Sequence, residues 1–113
     1  MNYNILTTNT FDHEAKRLAK HYPSLKKDIT DLYLLLEKNP HSGISLGNGL
    51  RKVRMKIGSK GKGKSGGARV ITFTIIVSEF ESNLNLLYIY DKSERPSIHK
   101  KEMEALLRFN GLI

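Results

Sequence analysis

Between Arg51 and Arg69 the chain carries eight basic residues and no acidic one. Within this window Arg51-Lys52-Val53-Arg54-Met55-Lys56-Ile57 alternates cations with apolar residues, the period of a half-buried strand. Lys52, Arg54 and Lys56 would then project from one face in a row, spaced by roughly 6.8 Å, twice the strand rise. Val53, Met55 and Ile57 would face a core. The loop 58–67, GSKGKGKSGG, is expected to be flexible and basic. Arg69 follows it and opens an apolar run. The other 94 residues hold eleven charges of each sign, so a neutral body carries one basic segment. A field concentrated in this way suits a polyanion, nucleic acid first and an anionic membrane surface second.

Other motifs are weaker. A lysine-rich edge strand can be no more than a solvated face that discourages aggregation. The absence of any interspersed acid argues for a polyanion site instead. So does Arg69, which at the start of an apolar strand would need an anionic partner. Gly58, four residues, then Gly63-Lys64-Ser65 match the pattern of a phosphate-binding P-loop. That mechanism requires the loop to open a helix, whereas Gly66-Gly67 and a β-branched run follow here. The four histidines, 13, 21, 41 and 99, show no metal-ligand spacing. His99 is the one of interest, since it starts a helix just after a strand end. Tyr88 and Tyr90 share a parity with Leu84 and Leu86, which implies core packing, although Tyr90 near the strand end could stack on a base.

These residues need a scaffold to position them. A length of 113 residues fits one domain spanning 1–113, with 39% hydrophobic and 27% charged residues. Without cysteine there is no disulfide, thiol nucleophile or thiolate metal site. The longest near-apolar run, Val70 to Val77, is too short to span a membrane. The N-terminus lacks a basic head and apolar block, so no signal peptide is expected.

Residues 3–8 are expected as a strand, and Thr10 as the cap of a helix whose inward face is Phe11, Ala15, Leu18, Ala19 and Tyr22. Pro23 ends that helix. Ser24 would cap a second, with Leu25, Ile29, Leu32, Leu35 and Leu36 buried, making a helical hairpin. Residues 41–49 look like a loop or weak strand. Strands 68–77 and 84–92 should form a central hairpin, and a last helix capped by Ser97 should run to Leu107. The order β-α-α-β-β-β-α predicts an α+β fold with a mainly antiparallel four-stranded sheet, an N-terminal helical hairpin and a C-terminal helix.

Leu50-Arg51-Lys52-Val53-Arg54, followed by Gly63-Lys64-Ser65-Gly66-Gly67-Ala68-Arg69-Val70-Ile71, resembles the central signature of the RelE/HigB family. These proteins are toxins of type II toxin–antitoxin pairs within the RelE/ParE superfamily. Leu87-Tyr88-Ile89-Tyr90-Asp91-Lys92-Ser93-Glu94 resembles the family's last strand and its ending. The resemblance implies a cytoplasmic, ribosome-dependent mRNA endonuclease that inhibits translation and works without a cofactor or metal. It also implies a cognate antitoxin, through which the complex binds its operator DNA. Family site positions fall on Arg54, Lys56, Arg69 and the end of the last strand. There the chain departs from the pattern, offering Ser93 and His99 where relatives carry Arg and Tyr.

Metal-independent RNA cleavage proceeds by attack of the 2′-hydroxyl on the adjacent phosphate, and charge gathers on the phosphoryl oxygens. Arg54 and Arg69, forked and permanently charged, suit its stabilisation. Arginine cannot serve as the base. Lys56 can, where crowding by like charges lowers its pKa. Lys92 or His99 could assist the leaving group. Arg51, Lys52, Lys60, Lys62 and Lys64 would hold mRNA or ribosomal RNA. The competing readings are a gyrase-poisoning toxin, an RNA-binding module without chemistry, and an inactive toxin relic that still binds its antitoxin.

Overall fold

The computed structural model describes residues 1–113. β1 (Asn2–Thr7) leads into α1 (Asn9–Ala19) and α2 (Leu25–Lys38). Then come β2 (Ile44–Gly47), β3 (Leu50–Met55), a 3-10 turn (Gly58–Lys60), β4 (Ala68–Ser78), β5 (Glu81–Asp91) and α3 (Lys100–Phe109). The sheet has five strands in the order β1-β5-β4-β3-β2, and β1 runs parallel to β5. The expected four-stranded sheet is thus corrected by one strand. Ile44–Gly47 pairs along Leu50–Lys52, with a bulge between Ser45 and Gly47 and a tight reversal through Asn48-Gly49. The α+β class and the helical hairpin stand.

The hairpin packs on one face of the sheet. Phe11, Leu18, Leu25, Leu32 and Leu36 meet Val53, Met55, Ile57, Val70, Leu84, Leu86 and Ile89 there. α3 covers part of the other face, where Met103 and Leu107 meet Leu50, Ile71, Phe73, Leu87 and Tyr90. The row Val53, Met55, Ile57 is therefore inward as its period requires, and Arg54 and Lys56 are exposed. Leu35 and Ala19, expected within the buried stripes, are exposed instead. Leu35 stands at the rim where α2 passes the β3 edge.

The caps shift from their expected positions. Thr8, not Thr10, caps α1, accepting from Phe11 N at 3.0 Å. Its hydroxyl also donates to Leu87 O on β5 at 2.8 Å, which joins β1, α1 and the sheet at one residue. Ser24 makes no capping bond to α2. Its hydroxyl donates to Asp28 and accepts from Ser59 N, so it tethers the basic loop. His99 occupies the N-cap position of α3 in place of Ser97, without a side-chain cap bond.

The second correction concerns β5. Thr72 pairs with Leu86 while Ile71 pairs with Tyr88, so Leu87 is an inserted residue, a β-bulge. One extra residue exchanges the faces of everything beyond it. Leu84 and Leu86 point to the helical hairpin, whereas Tyr88 and Tyr90 join the α3 side. The shared parity of those four residues therefore places them on opposite faces. The same bulge puts Ile89 and Asp91 on the hairpin side and Lys92 on the other.

Candidate functional site

Arg54 on β3 and Arg69 on β4 are direct cross-strand partners on the α3 face. Like charges placed opposite one another disfavour a strand pair, so this juxtaposition works against stability. Lys52 lies two residues along the same face, and Lys92 follows the end of β5. Together with Lys64 from the loop, these side chains line a cleft of about 660 Å³. Leu35, Asn39, Ser42, Gly43, Ile44, Val53 and Pro96 complete its wall, and no acidic residue contributes. Five cations thus converge on one cleft without a carboxylate. A smaller groove of about 290 Å³ continues along the β3 edge, lined by Arg54, Lys56, Lys64, Met55, Leu32, Leu35, Asp28 and Asp31.

Arg69 is only 6% exposed, yet it has no acidic partner. The sequence led us to expect one. Its guanidinium donates instead to backbone carbonyls, Lys64 O at 3.0 Å, Ala68 O at 3.1 Å and Ser65 O at 3.4 Å. Carbonyl dipoles satisfy the buried cation without neutralising its charge. Arginine has five N–H donors, and these bonds engage three of them. The others remain for an anion in the cleft.

The loop is tethered rather than free. Gly58 N donates to Asp28 Oδ2 at 3.0 Å and Ser59 N to Ser24 Oγ at 2.8 Å. Gly67 passes so close to β3 that its missing Cβ would overlap the Met55 carbonyl. The Gly63-Lys64-Ser65 stretch runs through turns into β4 and opens no helix, so the P-loop geometry is absent. Lys62 and Lys64 are exposed.

Lys60 differs from them. Its Nζ donates to Asp91 Oδ1 at 2.7 Å, Gly66 O at 3.0 Å and Ser93 Oγ at 3.1 Å. It lies 5.4 Å from the centroid of the Tyr22 ring. Asp91 also accepts from the Tyr22 hydroxyl and from Ser93 N and Oγ. Burial alone would push the Asp91 carboxyl up, but the bonds from Lys60, Tyr22 and Ser93 outweigh it. They hold the group well below the usual carboxylate range. The Tyr22 hydroxyl is raised in turn, chiefly by its bond to Asp91. The sequence reading missed this cluster. Its one local signal was an acid closing an otherwise apolar strand.

The remaining candidates scatter. Arg51 lies on the hairpin side and donates to His41 O at 3.1 Å. His99 is exposed at the start of α3 and does not line the cleft. Tyr90 is 2% exposed, and its hydroxyl has no hydrogen-bond partner. Burial raises that hydroxyl's pKa, partly offset by Arg69 and Arg95. The Arg95 guanidinium lies 5.6 Å from the Tyr90 ring centroid and is gripped by Glu102 through two bonds. The Tyr90 face that could meet a base is thereby covered. No three His, Asp or Glu side chains converge on one point.

The family model described as the RelE toxin of the RelE / RelB toxin–antitoxin system matches residues 3–112. The chain belongs to the RelE toxin family. As a RelE-family toxin it implies a cognate antitoxin as its partner. The match spans β1 to the C-terminal residues, so the cleft, its loop and the Lys60–Asp91 cluster all lie within it. No helix of this toxin is long and apolar enough to cross a membrane.

Proposed function

We propose that this toxin is a cytoplasmic, ribosome-dependent mRNA endonuclease that cleaves through the 2′-hydroxyl, with the five-cation cleft as its catalytic site. The observation that carries the reading is the pairing of Arg54 with the buried, carboxylate-free Arg69. A guanidinium held in place on Arg69, across the strand pair from the exposed Arg54 and at a cost to that pair, suits a phosphate on which charge builds. RelE-family toxins are generally mRNA-cleaving endoribonucleases, which supports the same reading.

In this mechanism the scissile phosphate lies between Arg54 and Arg69. The Arg69 donors left free by its carbonyl bonds point to the phosphoryl oxygens. Lys56, two residues past Arg54 and lining the groove that adjoins the cleft, takes the 2′-hydroxyl proton, which an arginine cannot do. The oxygen attacks phosphorus, the 5′-oxygen leaves, and the products are a 2′,3′-cyclic phosphate and a 5′-hydroxyl. Lys92 at the cleft wall protonates the leaving oxygen. Lys52, Lys62 and Lys64 hold the RNA backbone. The antitoxin covers this face and carries the complex to operator DNA.

Induced expression of the toxin alone tests the reading. Protein synthesis should stop while DNA supercoiling stays normal, and new mRNA ends should carry 5′-hydroxyls. DNA breaks or gyrase complexes with intact mRNA would overturn it.

A further inference from the structure

We propose that Lys60 and Asp91 are positioning residues, a buried ion pair that fixes the 58–67 loop from behind the sheet so that Lys64 and Arg69 face Arg54 across the cleft. This rests on the reading of the cleft as an RNA-cleaving site. Lys60 belongs to the basic window, yet it is the only cation there that meets a carboxylate. Its side chain is 11% exposed and that of Asp91 is 2% exposed. An ammonium group has three N–H donors. Asp91, Gly66 O and Ser93 Oγ take all three, and none is left for a phosphate.

The geometry links the pair to the cleft through the backbone. Asp91 points to the helical hairpin, while Lys92, the next residue, lines the cleft. Lys60 grips the carbonyl of Gly66, and Lys92 N donates to the carbonyl of Gly67 at 3.1 Å. From the opposite side the Arg69 guanidinium holds the carbonyls of Lys64 and Ser65. The loop is clamped between two cations, one on each face. Five of its ten residues are glycine, so the chain has little stiffness of its own and the tethers decide where Lys64 lies. Tyr22 and Ser93 complete the cage around Asp91 and bind the loop to the α1–α2 junction and to the end of β5.

The test compares Lys60→Met, which keeps the apolar stem, with the parent in three measurements. These are ribosome binding against salt, single-turnover mRNA cleavage, and amide hydrogen exchange. In a Lys64→Ala background, where that loop contact to RNA is already gone, Lys60→Met should leave affinity and salt slope unchanged. The cleavage rate should fall by about tenfold or more, as misplacement at a catalytic site does. Exchange at Gly67 and Lys92 should rise by about tenfold more than in the middle of β4 and β5. If Lys60→Met does not fold, Lys60→Met/Asp91→Asn carries the same readouts, because it leaves no charge buried alone. Ser93→Ala removes one bond from each partner and should give a smaller loss with the same loop-specific exchange.

A salt slope reduced by about one ion, with cleavage falling in parallel, would make Lys60 a phosphate contact and overturn the proposal. Exchange rising uniformly across the sheet would reduce the pair to a general stabiliser and also overturn it. If the parent protein cuts no RNA, the cleavage reading falls. The exchange measurement still decides whether the pair holds the loop.

Discussion

Gly67→Ala probes the loop where it touches β3. A Cβ on Gly67 would stand 2.2 Å from the Met55 carbonyl oxygen, 2.9 Å from Lys56 Cα and 3.0 Å from Ile57 N. All three atoms belong to the backbone that carries Arg54 and Lys56, so no rotamer change relieves the overlap. Ordinary contact begins at about 3.5 Å, and the strand must retreat by about 1 Å. Overpacking of this kind costs about 1–3 kcal/mol. In a domain of this size that lowers Tm by about 4–12 °C. A displacement of about 1 Å at a catalytic constellation costs about a hundredfold in rate. Gly63→Ala is the control. Its Cβ meets nothing within 4 Å, although φ is +65°, so it carries backbone strain alone. Thermal unfolding and single-turnover mRNA cleavage measure both variants. Gly67→Ala should stay folded, melt earlier and lose about two orders of magnitude in rate, whereas Gly63→Ala should lose at most a few-fold. A Gly67→Ala protein with the parent's Tm and rate would refute the claim that loop and strand are locked together.

Other expectations follow from the same geometry. Arg69→Ala should keep most ribosome binding and lower cleavage by about a hundredfold, the scale for one lost oxyanion stabiliser. Lys62→Ala should trim the salt slope by about one ion with little effect on rate, and parallel losses in both variants would reduce the window to a diffuse patch. Lys56→Arg keeps the charge and loses the releasable proton, so it should bind and not cleave, while cleavage at the parent rate would exclude Lys56 as the base. The depressed Asp91 pKa contributes stability that is fully present above the unfolded value of about 3.9 and is lost progressively as pH falls from there through the lower folded value. Asp91→Asn should therefore be less stable at neutral pH by about 3–5 kcal/mol in urea unfolding, the gap narrowing below about pH 4. Parallel curves would contradict this. An antitoxin segment, disordered when free, should fold across the basic face and bring acids to the Arg51–Arg69 window. Equimolar antitoxin should then abolish cleavage, and binding that leaves cleavage intact would count against the segment.

The elements that carry a local period were legible in the sequence. Alternation in 51–57 placed Val53, Met55 and Ile57 inward and the cations outward, and Pro23 broke the helical pair where the structure breaks it. Features set by pairing between distant segments were not. The parallel β1–β5 contact joins residues 2–7 to residues 81–86. β2 is four residues long and partnered on one side, so the glycines in and beside it masked it. The bulge at Leu87 exists only as a mismatch against β4, and without it Tyr90 and Asp91 fall on the wrong faces. Within the site, Arg54, Arg69 and Lys92 were legible as cations and do line one cleft. That Arg69 would be satisfied by carbonyls alone was not, because this depends on how the glycine loop turns back over it. Lys60 looked like its loop neighbours. Only its contact with Asp91, 31 residues away, sets it apart.

A cleft that cuts mRNA through the 2′-hydroxyl leaves its chemistry on the new ends. The direct measurement is single-turnover cleavage of a defined mRNA on programmed ribosomes by the purified toxin, with Arg69→Ala alongside and the chemistry of both new ends determined. Cleavage should require the ribosome, leave fragments ending in a 2′,3′-cyclic or 3′-phosphate and a 5′-hydroxyl, and run about a hundredfold slower for Arg69→Ala. Intact mRNA, 5′-phosphate ends, or an Arg69→Ala variant that cuts at the parent rate would contradict it.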